Sequence, residues 1–293
     1  MQYPAISIVT PSYNQGHFLE QTILSVIGQN YPRLEYIIID GGSTDNSAAI
    51  IKKYEEKLHY WISEKDNGQS HAINKGFGKA GGDILMWLNS DDLLLPGVLH
   101  YIADTVVNAG EGIYFGNCIH FSEKVRGVDS WGSDVVGSHQ KHSLEHIDYI
   151  IQPSSFWNRS VFEKAGPLSE VLHFGFDWEW FLRAKKMGVA FKALNKSISM
   201  YRFHDNHKSG TGGRKRQEEL LSIYKMYSPK LGELFHLLMD EEKDFNGVKA
   251  KTIKKIYSYS GRGLSYGRLL KYMKGKKYKE FTAEEINYSC YML

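Results

Sequence analysis

The sequence predicts an α/β fold: a mostly parallel central sheet with flanking helices, followed by a C-terminal helical extension. Three observations carry that expectation. Short β-branched runs alternate with segments of helical spacing from Ala5 to Leu88. The runs are mostly apolar, as strands covered on both faces are. From Gln217 onward only the helical spacing persists.

Each element has its own signal. Ala5–Thr10 is a β-branched run closed by Pro11. Phe18–Gln29 places Phe18, Ile23, Leu24 and Ile27 at helical spacing. Leu34–Ile39 is a second buried strand, closed by Asp40-Gly41-Gly42. Asp45–Tyr54 reads as a helix, with Ser43 or Asp45 as its cap. Leu58–Ile62 is a third strand and Gln69–Phe77 a short helix. Ile84–Leu88 is a fourth strand that runs into Asn89-Ser90-Asp91-Asp92, with a helix beginning near Pro96. Between Gly112 and Phe203 the pattern is less regular, with a helix over Phe176–Lys186 and two short strands near Phe191 and Ile198.

In a parallel sheet of this kind, ligands collect at the carboxyl ends of the strands. Three polar clusters fall there: Thr10-Pro11-Ser12-Tyr13-Asn14, Asp40-Gly41-Gly42-Ser43 and Asn89-Ser90-Asp91-Asp92. Carboxylates beyond a buried strand are costly unless compensated, and a hard divalent cation bridging to phosphate oxygens compensates them well. Alternatively, Asp91 or Asp92 caps the following helix. Asp40 can accept from a base N–H or a ribose hydroxyl, or it can belong to a plain Asp-Gly turn. Gly68 before a helix start makes a site for phosphate or polar sugar groups, and Asn74 and Lys75, one turn in, can reach a ligand; a solvated helix start is the other reading.

The segment from Phe174 to Arg183 sets Asp177 and Glu179 among five aromatics. An apolar setting strengthens a carboxylate as a base. Two residues apart on a helix, the two acids do not share a face, so only one is expected to point into the site. An N-cap Asp177 beside a surface Glu179 is the alternative. His204 can complete a metal site or serve a structural role.

Together these clusters resemble the family 2 glycosyltransferases of the GT-A fold, of the type that builds bacterial polysaccharides and other glycans. The resemblance runs from about residue 4 to 210 through Val9–Asn14, Ile39–Asp45, Gly68–Gly76, Trp87–Asp92, Gln152–Ser154, Asp177–Glu179 and Arg202–His204. It implies a GT-A domain over 1–212, divided into a nucleotide-binding half (1–110) and an acceptor-binding half (111–212), and a basic helical extension over 213–293. It implies that Thr10, Pro11, Tyr13 and Asn14 form the first nucleotide-binding loop and that Asp40 contacts the base. Gly68, Asn74, Lys75, Asn89 and Ser90 would complete the nucleotide-sugar site. It implies Asp91 and His204 as ligands of a divalent metal, Mn²⁺ or Mg²⁺, and Asp177 as the catalytic base. Gln152, Trp178 and Glu179 would meet the acceptor, with Trp157, Trp178 or Trp180 as an apolar platform for its sugar. Asn89 stands where many members carry Asp, and Phe176 where Glu is common.

The implied reaction is an inverting, metal-dependent transfer from a nucleoside-diphosphate sugar, a UDP-sugar by expectation, to a hydroxyl of a glycan or lipid-linked glycan. Two rivals are weaker. A nucleotidyltransferase needs a basic, Gly-rich triphosphate loop that Thr10–Gly16 does not provide. A non-catalytic nucleotide-sugar or glycan-binding module does not call for Asp91, Asp177 and His204 together.

Composition adds the setting. Cys118 and Cys290 make neither a metal spacing nor a disulfide framework, as expected of a reducing cytosol. No basic leader precedes the first strand and no window is apolar enough to span a bilayer, so the expected location is cytoplasmic. The net charge of +3 conceals an asymmetry: Gly247–Lys279 holds eleven Lys and Arg and no acid, while the rest carries 25 positive charges against 33 negative. Mixed with apolar residues, as in Lys251–Tyr257 and Arg268–Lys274, this basic segment suits either the inner face of an anionic membrane, through a peripheral contact of residues 247–293, or the acidic body itself. Nucleic acid is not an expected partner.

Overall fold

The computed structural model describes residues 3–124, 127–204, 208, 212–245, 268, 270–271 and 274–293. It is an α/β fold whose first half follows the expected alternation: β1 (Ile6–Ser12), α1 (Gly16–Ile27), β2 (Leu34–Asp40), α2 (Ser47–Lys53), β3 (Tyr60–Ser63), α3 (Gln69–Phe77), β4 (Ile84–Trp87), the two-residue β5 (Leu93–Leu94) and α4 (Val98–Ala109). β1 pairs in parallel with β2 and β4, and β2 in parallel with β3. Every residue of β1 is buried, Ser7, Thr10 and Ser12 included, as a strand covered on both faces requires.

The second half continues the same sheet. It adds β6 (Ile113–Lys124), β7 (Gly127–Gly132), α5 (Val135–Lys141), β8 (Ser155–Asn158), α6 (Arg159–Ala165), α7 (Phe176–Lys186) and β9 (Phe191–Arg202). The strand order is β3-β2-β1-β4-β8-β6-β9-β5, with β7 beside β6. β8 enters antiparallel to both β4 and β6, so the sheet is parallel in its first half and mixed beyond it. The two short strands expected near Phe191 and Ile198 are one continuous strand. Its pairing with β6 shifts register around Gly116, Asn117 and Cys118, which breaks the two-residue alternation that would have revealed its length.

Core residues divide between the two faces. Ile8, Leu19, Ile23, Met86, Leu99, Ile102, Phe156 and Ile198 pack with α1 and α4 on one face. On the other, Phe77, Trp87, Trp157, Phe162 and Trp180 interlock, with Trp157 and Trp180 centroids 4.7 Å apart. α3 lies close on the sheet because Gly76 is small: a Cβ there would meet Val9 Cγ1 at 2.4 Å and Ile39 Cγ1 at 3.3 Å. Gly76→Ala is therefore expected to destabilise the fold by about 1–3 kcal/mol, although alanine is the better helix former. Urea unfolding measures it, and an unchanged midpoint would contradict this packing.

The chain divides into two compact units, one of residues 1–141 and 149–211, the other of 142–148 and 212–293. The second contains α8 (Gly213–Tyr227), α9 (Pro229–Phe245) and α10 (Ala283–Met292). Tyr224 stacks near Phe235 at 5.1 Å and donates to the His146 carbonyl at 2.8 Å. Thr282 and Glu285 form a reciprocal cap on α10. Of the basic segment 247–293, residues 247–267, 269, 272 and 273 lie outside the described residues, the Lys251–Tyr257 stretch among them. Among the described residues no helix is long and apolar enough to cross a membrane.

Candidate active site

The carboxyl ends of β1, β2 and β4 converge as the topology requires, and side chains lock them together. Asn14 adopts a left-handed φ of 53° and its Oδ1 accepts from Thr44 N at 2.8 Å, while Asn14 N donates to Ser43 Oγ at 2.8 Å. Asp45 accepts from Gly16 N and Ser47 N, both at 2.9 Å, so it secures the starts of α1 and α2 together. Ser43, the other expected cap of α2, instead donates to Asp40 Oδ1 at 2.5 Å. Tyr13 is left 61% exposed on the rim, whereas Thr10 is fully buried with its hydroxyl 3.1 Å from Tyr36 Oη. Thr10 and the buried Pro11 shape the loop, and Tyr13 is its exposed aromatic member.

Asp40 departs from its expected role. Its carboxylate is fully buried and accepts from Ser43 N at 2.9 Å, Ser43 Oγ at 2.5 Å and Ser63 Oγ at 2.6 Å. Both oxygens are thus engaged by the protein, and the side chain is enclosed. A second carboxylate lies beside this turn, that of Asp66 from the loop after β3, a residue given no role in the sequence reading. A Cβ on Gly41 would lie 2.7 Å from Asp66 Oδ2, so glycine at 41 leaves room for it. Asp66 Oδ1 accepts from Gly68 N at 2.8 Å. Gly68 opens α3 at φ +113°, a conformation natural only to glycine, and faces open space.

Asn74 and Lys75 do not reach toward this space. Asn74 Oδ1 accepts from Leu168 N and its Nδ2 donates to Leu168 O, each at 2.9 Å, tying the loop before α7 to α3. Lys75 pairs with Glu64. The residue at the mouth of α3 is Gln69, whose Nε2 donates to Asn89 Oδ1 at 2.8 Å and whose Oε1 accepts from Lys208 Nζ at 2.8 Å. Lys208 also lies over the Phe176 ring at 5.1 Å.

The β4 loop is the most constrained part. Asn89 Nδ2 donates to Asp92 Oδ2 at 3.2 Å and Gln152 Oε1 at 3.3 Å, and Gln152 Nε2 donates to Trp87 O at 2.8 Å. Ser90 is buried, with its carbonyl 2.9 Å from Thr22 Oγ1. Neither Asp91 nor Asp92 caps α4, which starts at Gly97 with no side-chain cap. Asp92 is 1% exposed and accepts from Arg202 N at 3.1 Å. Burial, reinforced by the neighbouring Asp91 charge, drives its pKa well above the ordinary carboxylate value.

Asp91 faces outward and meets His204: Asp91 Oδ2 and His204 Nε2 are 3.1 Å apart, with both side chains partly exposed. Among the described residues no group of three His, Cys, Asp or Glu side chains could hold a metal ion. The pair instead offers one carboxylate oxygen and one imidazole nitrogen, a mixed set suited to Mn²⁺ or Mg²⁺ when ligand oxygens fill the remaining positions.

Arg202 holds this loop from behind. It is 2% exposed, lies between the rings of Phe18 (4.8 Å) and Phe121 (4.6 Å), and donates from Nε to Asp91 O at 3.0 Å and from Nη2 to Gln21 Oε1 at 2.5 Å. It also pairs with Glu123. A strand residue two places before His204 shares its face, and that spacing was the available sign. Arg202→Met is expected to cost about 2–3 kcal/mol through this lost network. A denaturant midpoint equal to wild type would refute it.

At the start of α7, Asp177 is half-buried in the first turn and Glu179 is 7% exposed. Glu179 binds Arg183 at 3.0 Å, and Arg183 donates to Pro167 O at 2.8 Å and to Ala165 O at 2.6 Å, so this acid clamps a loop and is not turned to an acceptor. Trp157, Trp178 and Trp180 are at most 1% exposed. A stacking platform needs an open ring face, and these three are core.

Known proteins now give the context. The family model for glycosyl transferase family 2 matches residues 7–166. The chain is 24% identical over 283 residues, 92% of its own length and 86% of the relative's, to the GalNAc(5)-diNAcBac-PP-undecaprenol beta-1,3-glucosyltransferase of Campylobacter jejuni. Its fold superposes on S. aureus TarS 1-349 in complex with UDP-GlcNAc with a TM-score of 0.62 at 16% identity, covering 78% of this chain and 66% of that one, just under two thirds of it. It also superposes on the mannosyltransferase PcManGT of Pyrobaculum calidifontis in complex with GDP-Man and Mn2+, with a TM-score of 0.62 at 13% identity, covering 99% and 87%. The expected GT-A fold is the one observed, and the chain belongs to glycosyltransferase family 2.

Proposed function

We propose that this glycosyltransferase moves a sugar, with inversion, from a nucleoside-diphosphate donor, a UDP-sugar by our reading, to a hydroxyl of a glycan or lipid-linked glycan in cell-surface polysaccharide synthesis. The observation that carries the reading is the Asp91–His204 pair, 3.1 Å apart at the end of the fourth strand. A lipid-linked acceptor is favoured by the Campylobacter jejuni relative, whose name specifies one and which matches 92% of this chain. We place the enzyme in the cytoplasm, with residues 247–293 as its peripheral membrane contact.

Tyr13 and Asp66 border the base and ribose, Asp66 taking the part expected of Asp40. The start of α3, which follows Gly68, faces the diphosphate, where the helix terminus favours negative charge. Asn89 is fixed by Gln69 and Gln152, so its amide borders the site without adding charge. Asp91 and His204 would hold Mn²⁺ or Mg²⁺, and the bound ion supplies charge stabilisation to the leaving diphosphate. Lys208 adds a cation to the same region. Asp177 takes the proton from the acceptor hydroxyl as its oxygen attacks the anomeric carbon from the face opposite the diphosphate. The C–O bond to the acceptor forms as the bond to the phosphate oxygen breaks.

Purified protein incubated with UDP- and GDP-sugars is expected to release the matching nucleoside diphosphate from one donor class. Chelation by EDTA is expected to abolish release, and Mn²⁺ or Mg²⁺ to restore it. Full release in EDTA would overturn the metal reading, and no release from any donor would overturn the catalytic one.

A further inference from the structure

The buried tryptophans leave the acceptor side without its expected platform, but a different aromatic surface exists. Trp131 on β7 pairs across the ladder with His120 on β6, and His120 pairs with Tyr201 on β9. The rings of Trp131 and His120 are 18° from parallel with centroids 5.6 Å apart, and Phe203 lies 5.1 Å from Trp131. Trp131 is 47% exposed, so one face of its ring is open to solvent.

The strip faces the acceptor side of the sheet. Ile198 packs into the α1–α4 core, so the alternation of β9 turns Ser199, Tyr201 and Phe203 to the opposite face. That face carries α7, whose Trp180 lies against Trp157, and therefore Asp177. Ser199 Oγ is 2.7 Å from Ser154 Oγ, two residues beyond Gln152. Phe203 directly precedes His204, the partner of Asp91, in the chain, and its ring lies 5.1 Å from that of Tyr201.

We infer that Trp131, with His120 and Phe203 beside it, is the surface on which a pyranose ring of the acceptor stacks. The axial C–H bonds of a sugar carry slight positive charge and match the negative face of an indole, while its hydroxyls stay in water. Burial lowers the His120 pKa, which keeps that ring uncharged near pH 7. With Trp131 exposed, the strip selects a sugar by ring shape and leaves the reacting hydroxyl to Asp177.

This inference rests on the glycosyl-transfer reading, and the test separates the two. Trp131→Ala and Trp131→Phe are compared with wild type for binding of methyl β-D-glucopyranoside, methyl β-D-galactopyranoside and their 2-acetamido counterparts, by saturation-transfer NMR. Donor hydrolysis, with water as acceptor, is measured in parallel. At least one glycoside is expected to bind wild type, with affinity about five- to tenfold weaker in Trp131→Ala, partly recovered in Trp131→Phe, and with donor hydrolysis unchanged in both. No glycoside binding to wild type, or binding indifferent to Trp131→Ala, overturns the strip. A change of sedimentation coefficient in Trp131→Ala with sugar binding unaltered overturns it too, by showing a contact between copies. Failure of wild type to hydrolyse any donor instead sinks the underlying reading.

Discussion

Asp177→Asn is expected to lower the turnover of glycosyl transfer by about 10²–10⁴-fold, the range lost when a positioned general base is removed. The amide matches the carboxylate in size and keeps a carbonyl oxygen to accept from Trp178 N, a contact of 2.9 Å in the native chain. Folding and donor binding should therefore survive, and the loss should fall on kcat with little change in donor KM. Glu179→Gln is the informative partner. It weakens the clamp from Glu179 through Arg183 to the Ala165 and Pro167 carbonyls, so its effect should appear as lowered stability. Steady-state kinetics beside thermal unfolding separates the two. Near-full transfer by folded Asp177→Asn would show that another group removes the proton.

Asp91→Asn is expected to cost turnover on the order of 10²–10³-fold, the scale of losing one preorganised charge contact to a leaving group. Raised Mn²⁺ should recover part of that activity, because an amide oxygen still binds metal weakly. His204→Gln should behave alike and less severely. The paired Asp91→Asn/His204→Gln variant should lose little beyond Asp91→Asn alone, since two ligands of one ion act as a unit. Isothermal titration of Mn²⁺ in the presence of nucleoside diphosphate reads the same loss without catalysis. Equal Mn²⁺ affinity in wild type and Asp91→Asn would remove Asp91 from the ligand set.

Much of the first half of the fold is legible because its strands are buried on both faces. Ile6–Ser12, Leu34–Asp40 and Ile84–Trp87 read as mainly apolar runs that end in loops rich in Pro, Gly or Asn, and those loops border the candidate site. The second half resists the same reading for a physical reason. β6 and β9 are long, mixed in burial and shifted in register near Gly116, so no single period describes them. Residue type identified the clusters but not which way each side chain turns. Asp40 and Asp66 are both acids beside glycines, and only tertiary packing decides that the first is enclosed by serines while the second lies over Gly41. The tryptophans of α7 pose the same ambiguity, because an indole suits a sugar and a core equally well.

The bond from Arg202 to the Asp91 carbonyl spans 111 residues of chain. A contact of that sequence separation forms late, after the intervening loops have been closed at an entropic cost. The acidic loop is made early in the chain, but its rigid form belongs to the last strand of the sheet. During synthesis the nascent amino-terminal half would thus display the loop without its brace, and ion-binding competence would mature only once β9 had docked. The rigid form of the acidic loop is in that sense a read-out of completed folding.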